Sequence, residues 1–520
     1  MNKEFDFMNA VKNELNKAKT LTENGALAYA SSGKELLDFN FHISNLRDMD
    51  EDEIAKAFFK VLYEEGPVVA IKYLFYVGDV REGLGERRTF RLVFNKLAVC
   101  YPELVAPLVK LIPEYHRWDY LVDLCVYCHS SEVSTEAFML IQTQLKKDIE
   151  DALHDEPISL LAKWLPSENT SSKKTRFKAK VVAQALGYSP RIYRKILSKL
   201  RKHLDVVEQK MSAKQWEEID YNAVPSQANL KYKNAFLRND EERRREYLRK
   251  LQRGESDVKI NAGTLYPHQI VGKYMDAADY YYASECAELD PALEELWKAL
   301  PNLSLENTLV VRDGSGSMFD NGHIPIYVAT ALAIYMAEHN TGVWKDKYIT
   351  FSSNPRIVDQ SMVKTLKDKV TMALKYHEIS NTDIYKTMML ILDTAVNNNL
   401  TQDQMPKNIV ICSDMQFDGR FSGYNETLFE SIQREFKEHG YLLPRIIFWN
   451  LAADRNRSNT IPIQQNDLGM VLMSGFSLQL LKMVMSNSID PYQALLDEIN
   501  TDRYKPVEEV VRANKDKFFY

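Results

Sequence analysis

Cysteine is scarce in this chain: five in 520 residues, at Cys100, Cys125, Cys128, Cys286 and Cys412. An odd, scattered set excludes a disulfide scaffold. Long apolar runs are missing too, so no transmembrane helix is expected. The opening MNKEFDFMNAVKNELNK lacks the apolar core of a signal peptide, which makes a cytoplasmic protein the expectation. There is no P-loop, no H-E-x-x-H pair and no nucleophile elbow. We therefore expect binding and not catalysis. Neither sign of charge dominates, with 66 Lys and Arg against 72 Asp and Glu. The apolar fraction of 45% is that of a globular protein, and the length calls for two or more domains.

What is present is organised around Leu309 to Met318, LVVRDGSGSM. A short apolar β-branched run reads as a buried strand. It ends in Asp313-x-Ser315-x-Ser317, with Gly314 and Gly316 between. The glycines let the loop curl, so that one carboxylate and two hydroxyls can converge on a hard cation. Mg2+ takes oxygen ligands in octahedral geometry. The alternative is a Ser/Gly turn with a solvated aspartate. Two later pieces favour the cation. Ser380-Asn381-Thr382-Asp383 precedes an amphipathic run from Ile384 to Val396, and Asn408 to Asp414 is a second buried strand ending in a carboxylate.

Around this stretch the C-terminal half alternates strands and helices. Strands are expected at 347–352, 356–359, 409–413, 445–450 and 470–473. Helices are expected at 324–340, 364–375, 384–397, 424–439 and 478–484. That alternation means a mostly parallel, doubly wound α/β sheet. Ligands of such sheets sit at strand carboxyl ends, at the switch point, where Asp313 and Asp414 both fall. The loop residues His323 and His377 read as solvated. The tail after Ser488 either docks back on the helical half or stays loose.

Residues 1–300 read as helices joined by short turns, with helical spans at 54–62, 67–77, 89–101, 102–111, 266–282 and 291–300. This is an all-α, HEAT-like repeat of degenerate period, forming a ring or an arc. Glu255 to Ala262 reads as a polar connection, and the domain boundary is placed near residue 301. Gly83-x-Gly85 with Glu86-Arg87-Arg88 suggests a phosphate loop, but no strand precedes it, so a helix–helix turn is expected. Cys125-Val-Tyr-Cys128-His129 spells a haem or half-zinc pattern inside an apolar run, where a core helix is the simpler reading.

Charge sets one segment apart. Residues 160–260 hold 24 Lys and Arg against 12 Asp and Glu, or +12, in a chain of net −6. The remainder therefore carries about −18. Between 173 and 202 there is no acid at all. Lys173, Lys174, Arg176, Lys178, Lys180, Arg191, Arg194, Lys195, Lys199, Arg201 and Lys202 are the expected polyanion-binding set. Tyr188, Tyr193, Trp216, Tyr221 and Tyr232 lie in the same basic segment. A basic face with aromatics can hold phosphates and stack bases. Arg243-Arg244-Arg245, flanked by Glu241, Glu242 and Glu246, reads instead as a solvated surface.

The order strand-DxSxS, Thr before a helix, strand-Asp resembles the metal-ion-dependent adhesion site of von Willebrand factor A domains. That resemblance implies that Asp313, Ser315, Ser317, Thr382 and Asp414 surround one divalent ion, Mg2+ or another such as Mn2+ or Ca2+. One coordination position would stay open for an acidic group of a protein partner. Several stretches resemble the family known as domain of unknown function 2828: Leu161-Ala-Lys-Trp164-Leu-Pro166-Ser167, Tyr193 to Arg201, Val224-Pro225-Ser226, Tyr266-Pro267-His268 and Ser413 to Asp418. That family is similar to the Ro autoantigen, or TROVE, proteins, which join a ring of helical repeats to a von Willebrand A domain. The resemblance implies RNA on the basic surface, in a ribonucleoprotein, with single-stranded ends in the ring. The domains are expected at 1–300 and 301–520, in a monomer without membrane contact. The alternatives are a protein-only adaptor and, last, a metal-dependent phosphotransfer enzyme.

Overall fold

The computed structural model describes residues 19–22, 27–276, 287–319, 321–352, 354–376, 383–417, 428–451, 461–462, 470–485 and 490–518. These fall into two compact units. One comprises Glu51–Asn261 with Ile499–Tyr520, the other Met1–Asp50 with Ala262–Glu498.

The first unit is helical. Its opening span α1, Glu51–Gly78, begins with Glu51, Asp52 and Glu53, which suit the positive end of a helix. It breaks at Gly66, whose φ of 76° favours glycine, and Pro67 restarts the helix. The two helices expected from sequence are therefore one kinked pair. The turn to α2, Arg87–Cys100, needs its glycine: a Cβ on Gly83 would lie 2.0 Å from the Tyr76 carbonyl oxygen. The Gly83-x-Gly85 segment is thus a helix–helix turn. Beyond it come α3 (Trp118–Tyr127) and α4 (Ser131–Leu153). Residues 106–111, expected as part of an α-helix, are wound as 3-10 helix. Cys125 is half-buried in α3, and burial pushes its thiol up to about 12.

Serine caps set the next two helices. Ser172 accepts from Thr175 N ahead of α5, Lys173–Ala185, and Ser189 accepts from Ile192 N ahead of α6, Pro190–His203. The helices α7 (Ser226–Asn239) and α8 (Glu241–Arg253) follow. Their Arg244 departs from the solvated reading. It is fully buried, its guanidinium 4.8 Å from the Tyr221 ring and 5.1 Å from that of Tyr247. Its neighbours Arg243 and Arg245 do pair with acids, at 3.1 Å from Asp240 and 2.8 Å from Glu241.

The tail closes this same unit. Helix Lys505–Asn514 buries Val507 and Val511. Lys72, nearly buried, reaches Asn500 Oδ1 and Glu508 Oε2 at 2.6 Å. Arg503 pairs with the fully buried Asp79, and with Glu114 at 3.1 Å.

The second unit is built on a six-stranded sheet. Its strands are β1 (Thr308–Asp313), β2 (Lys347–Phe351), β3 (Arg356–Asp359), β4 (Asn408–Ser413), β5 (Arg445–Asn450) and β6 (Met470–Ser474). The order is β6-β5-β4-β1-β2-β3, all parallel except the antiparallel edge strand β3. The chain builds outward from β1 to one side and then from β4 to the other, so strand order reverses between β1 and β4.

Helices α9 (Pro267–Met275) and α10 (Pro291–Lys298) were expected in the helical half. They belong to the sheet unit, and two contacts explain why. Gly272 on α9 lets the backbone approach Tyr327 of α11, Ile324–Glu338; a Cβ there would sit 3.0 Å from the ring. Glu294 on α10 accepts from the Leu366 and Lys367 amides at 2.8 and 3.1 Å, capping α12, Leu366–Lys375. The stretch 27–50 joins the same unit. Ser44 Oγ lies 2.9 Å from Ser474 Oγ at the end of β6, and Asn450 Nδ2 donates to the Phe41 carbonyl at 2.7 Å. Helix α13 spans Ile384–Asn397 and α14 Leu428–Glu438.

Candidate functional site

The loop after β1 lies at the point where strand order reverses. β1 pairs in parallel with β4 in the register Arg312 to Cys412. One step further along each strand, Asp313 meets Ser413, and Asp414 follows. Asp313 is fully buried and anchored at both oxygens. Its Oδ1 accepts from Ser315 N at 2.8 Å, and its Oδ2 from Ser413 Oγ at 2.5 Å. Ser413 Oγ in turn accepts from Met415 N at 3.1 Å. Asp414 is 4% exposed, and its Oδ1 accepts from Gln416 N at 3.3 Å.

Burial, and then the nearby charge of Asp414, push the Asp313 carboxyl up to about 7 against the pull of its hydrogen bonds. Two buried carboxylates side by side repel each other unless a proton or a cation sits with them. The donors fit a cation in kind, being oxygens only. They also fit in spacing: Ser315 Oγ and Ser317 Oγ are 3.0 Å apart. Adjacent ligands of an octahedral Mg2+ at about 2.1 Å stand roughly 3.0 Å apart. Thr382 lies outside the described residues, as do His377 and Asp418. The next residue, Asp383, caps α13 by accepting from Lys386 N at 2.9 Å. Ser413 escaped the sequence reading of the metal loop. The available signal was its place directly before Asp414 on a strand that pairs with β1.

The second candidate is the basic face of α5 and α6. Here the structure divides the expected set. Arg201 is built into the fold: its Nε donates to the Ala162 carbonyl at 2.8 Å, and its two terminal nitrogens reach Ser167 Oγ and the Leu165 carbonyl at 2.6 Å. Lys178 pairs with Asp123, and Arg176 donates to the Thr170 carbonyl at 2.8 Å. Among the described residues, no acid pairs with Lys173, Lys174, Lys180, Arg191, Arg194, Lys195, Lys199 or Lys202. These eight are exposed. Two of the expected stacking aromatics are unavailable. Tyr193 is fully buried with its hydroxyl on the Pro166 carbonyl, and Tyr221 is 4% exposed. Tyr127, 43% exposed, holds the Lys174 and Lys178 ammoniums at 5.4 Å over its ring.

The class these features define is a two-unit protein, a helical unit and a parallel-stranded sheet unit with a carboxylate-and-hydroxyl loop at its switch point. Residues 190–303 match the model of the domain of unknown function 2828, and residues 307–518 that of the domain of unknown function 7788. The chain is 30% identical to the uncharacterized protein L728 of Acanthamoeba polyphaga mimivirus, over 94% of this chain and 88% of that one. It belongs to the domain of unknown function 2828 family. The sheet half, which the sequence resemblance put in the same family, matches a model of its own. Among solved structures, the Ro (RSR) protein of Deinococcus radiodurans is matched at 13% identity and a TM-score of 0.36, over 92% of this chain and 94% of that one. No described helix is long and apolar enough to cross a membrane.

Proposed function

We propose that this chain is a binding protein that holds RNA on the α5–α6 face and a divalent cation, Mg2+ first, in the loop after β1. The observation that carries the RNA reading is the run of eight exposed cationic side chains without acidic partners. A surface that served only solvation would be expected to carry interspersed acids, as α8 does. Lysines and arginines along two neighbouring helices neutralise successive phosphates, and release of counterions supplies the affinity. The helical unit is read as a platform of degenerate repeats, and the sheet unit as a von Willebrand A-like domain. The cation reading rests on the two buried carboxylates and the paired hydroxyls. Asp313, Ser315, Ser317 and Asp414 would hold the ion, with Thr382 as the von Willebrand A resemblance implies. The ion would neutralise the carboxylates and offer an open position to an acidic group of a partner. We read capture of that group, not turnover, as the role of this loop.

The test is purification of the native protein at mild salt, followed by a search for nuclease-sensitive ultraviolet absorbance. The Lys173/Lys174/Arg191/Arg194/Lys195→Glu variant serves as control. RNA in the native protein and none in the variant is the expected result. Nucleic-acid-free protein in both would move the reading to a protein-only adaptor. Calorimetric titration of chelator-treated protein with Mg2+ should show one site, lost in Asp414→Ala.

A further inference from the structure

A groove of about 810 Å3 opens between the last turns of α4 and α6. Its floor is apolar, made by Ile149, Leu153, Pro157, Ile196 and Leu200. Leu153 is 80% exposed, so this surface is presented to solvent and not merely glimpsed through a gap. The two walls differ in sign. On the α6 side stand Lys199 and Lys202, exposed and without acidic partners among the described residues. On the α4 side stands Asp155, its side chain 99% exposed, followed by the exposed Glu156. His203 ties the walls together, with Nε2 at 2.8 Å from the Glu156 carbonyl and Nδ1 at 3.8 Å from Asp155.

We infer that this groove takes a short amphipathic helix of a protein partner, with an apolar stripe on the floor, acidic residues along α6 and basic residues along the α4 side. Charge complementarity decides the occupant. A nucleic acid would bring phosphates against Asp155 and Glu156 as well as against the lysines, and would leave the apolar floor unmatched. A helix with anchors at i, i+4 and i+7 fills roughly two turns of such a groove, and its flanking charges answer both walls. The groove shares only Lys199 and Lys202 with the cations assigned to RNA; Lys173, Lys174, Lys180, Arg191, Arg194 and Lys195 do not line it, so the two readings are tested by different variants.

The experiment uses the full chain and a fluorescein-labelled peptide with leucines at those spacings, glutamates on one flank and lysines on the other. A scramble of the same composition is the control, and anisotropy is the readout. Saturable binding is expected, weakened about tenfold or more by the scramble, by Leu153→Glu and by Lys202→Glu, and unchanged by Lys173→Glu. Both groove variants alter exposed side chains, and circular dichroism verifies that they fold. Equal binding of the scramble, absence of saturation at millimolar peptide, or indifference to Leu153→Glu would overturn the inference. So would an oligouridine whose binding is lost in Leu153→Glu, since RNA would then be the occupant.

Discussion

At the scale of single residues, the fold commits some charged groups to its own carbonyls and leaves others facing solvent. Arg201 and Lys202 are neighbours in sequence with opposite fates. Arg201→Ala removes donors from two carbonyls and a serine, and should destabilise by about 2–4 kcal/mol. Lys202→Ala should stay within about 0.5 kcal/mol. Chemical denaturation of the two variants checks this. Neighbouring helix positions lie about 100° apart, so Arg201, four residues after the buried Leu197, sits nearer the packed side than Lys202; the carbonyls of Ala162 and Leu165 that it meets are long-range information. Asp313 carries a pH signature. Its folded value of about 7 lies above that of an unfolded aspartate. The group therefore adds stability at low pH and loses it as pH rises through the folded value. Chelator-treated protein should melt a few degrees lower at about pH 8 than at about pH 5.5. Mg2+ should restore the difference, and Asp313→Asn should flatten the trend.

At the scale of elements, the strands were the most legible part of the chain. Arg356–Asp359 and Arg445–Asn450 were read from sequence to the residue, because apolar β-branched runs bounded by turn residues leave little freedom. The two strand-end carboxylates were legible for the same reason: a strand, a glycine loop and a carboxylate recur in order. The outlines of α9 and α10 were legible, but not their allegiance. A helix of ordinary amphipathic pattern looks the same whether it covers another helix or a sheet. The fit of Gly272 against Tyr327, and of Glu294 against the start of α12, is long-range information. Sequence pattern alone does not choose between a docked and a loose tail. Its docking rests on Arg503, Lys72 and the apolar face of 505–514, pairings across more than 400 residues. Arg503→Ala leaves the buried Asp79 without its guanidinium, and should cost the helical unit about 3–5 kcal/mol. Its denaturant midpoint should fall while the Mg2+ titration of the sheet unit is unchanged.

At the scale of the whole molecule, the chain enters the sheet unit, leaves it for the helical unit, returns, and ends in the helical unit. Each unit is thus made of two stretches distant in sequence. The sequence boundary near residue 301 marks the first strand of the sheet, not the edge of the compact unit that contains it. The two proposed sites fall in different units, the proposed cation loop at the switch point of one and the basic face on two helices of the other, and different family models match over the two regions.

The most direct test of the central claim is the salt dependence of RNA affinity. If the eight exposed cations hold about six phosphates, the affinity of the full chain for the RNA it carries should fall on the order of a thousandfold between about 50 and 200 mM salt. The slope should flatten in the Lys173/Lys174/Arg191/Arg194/Lys195→Glu variant. An affinity that does not change with salt, or a slope identical in the variant, would contradict the assignment of this face to RNA.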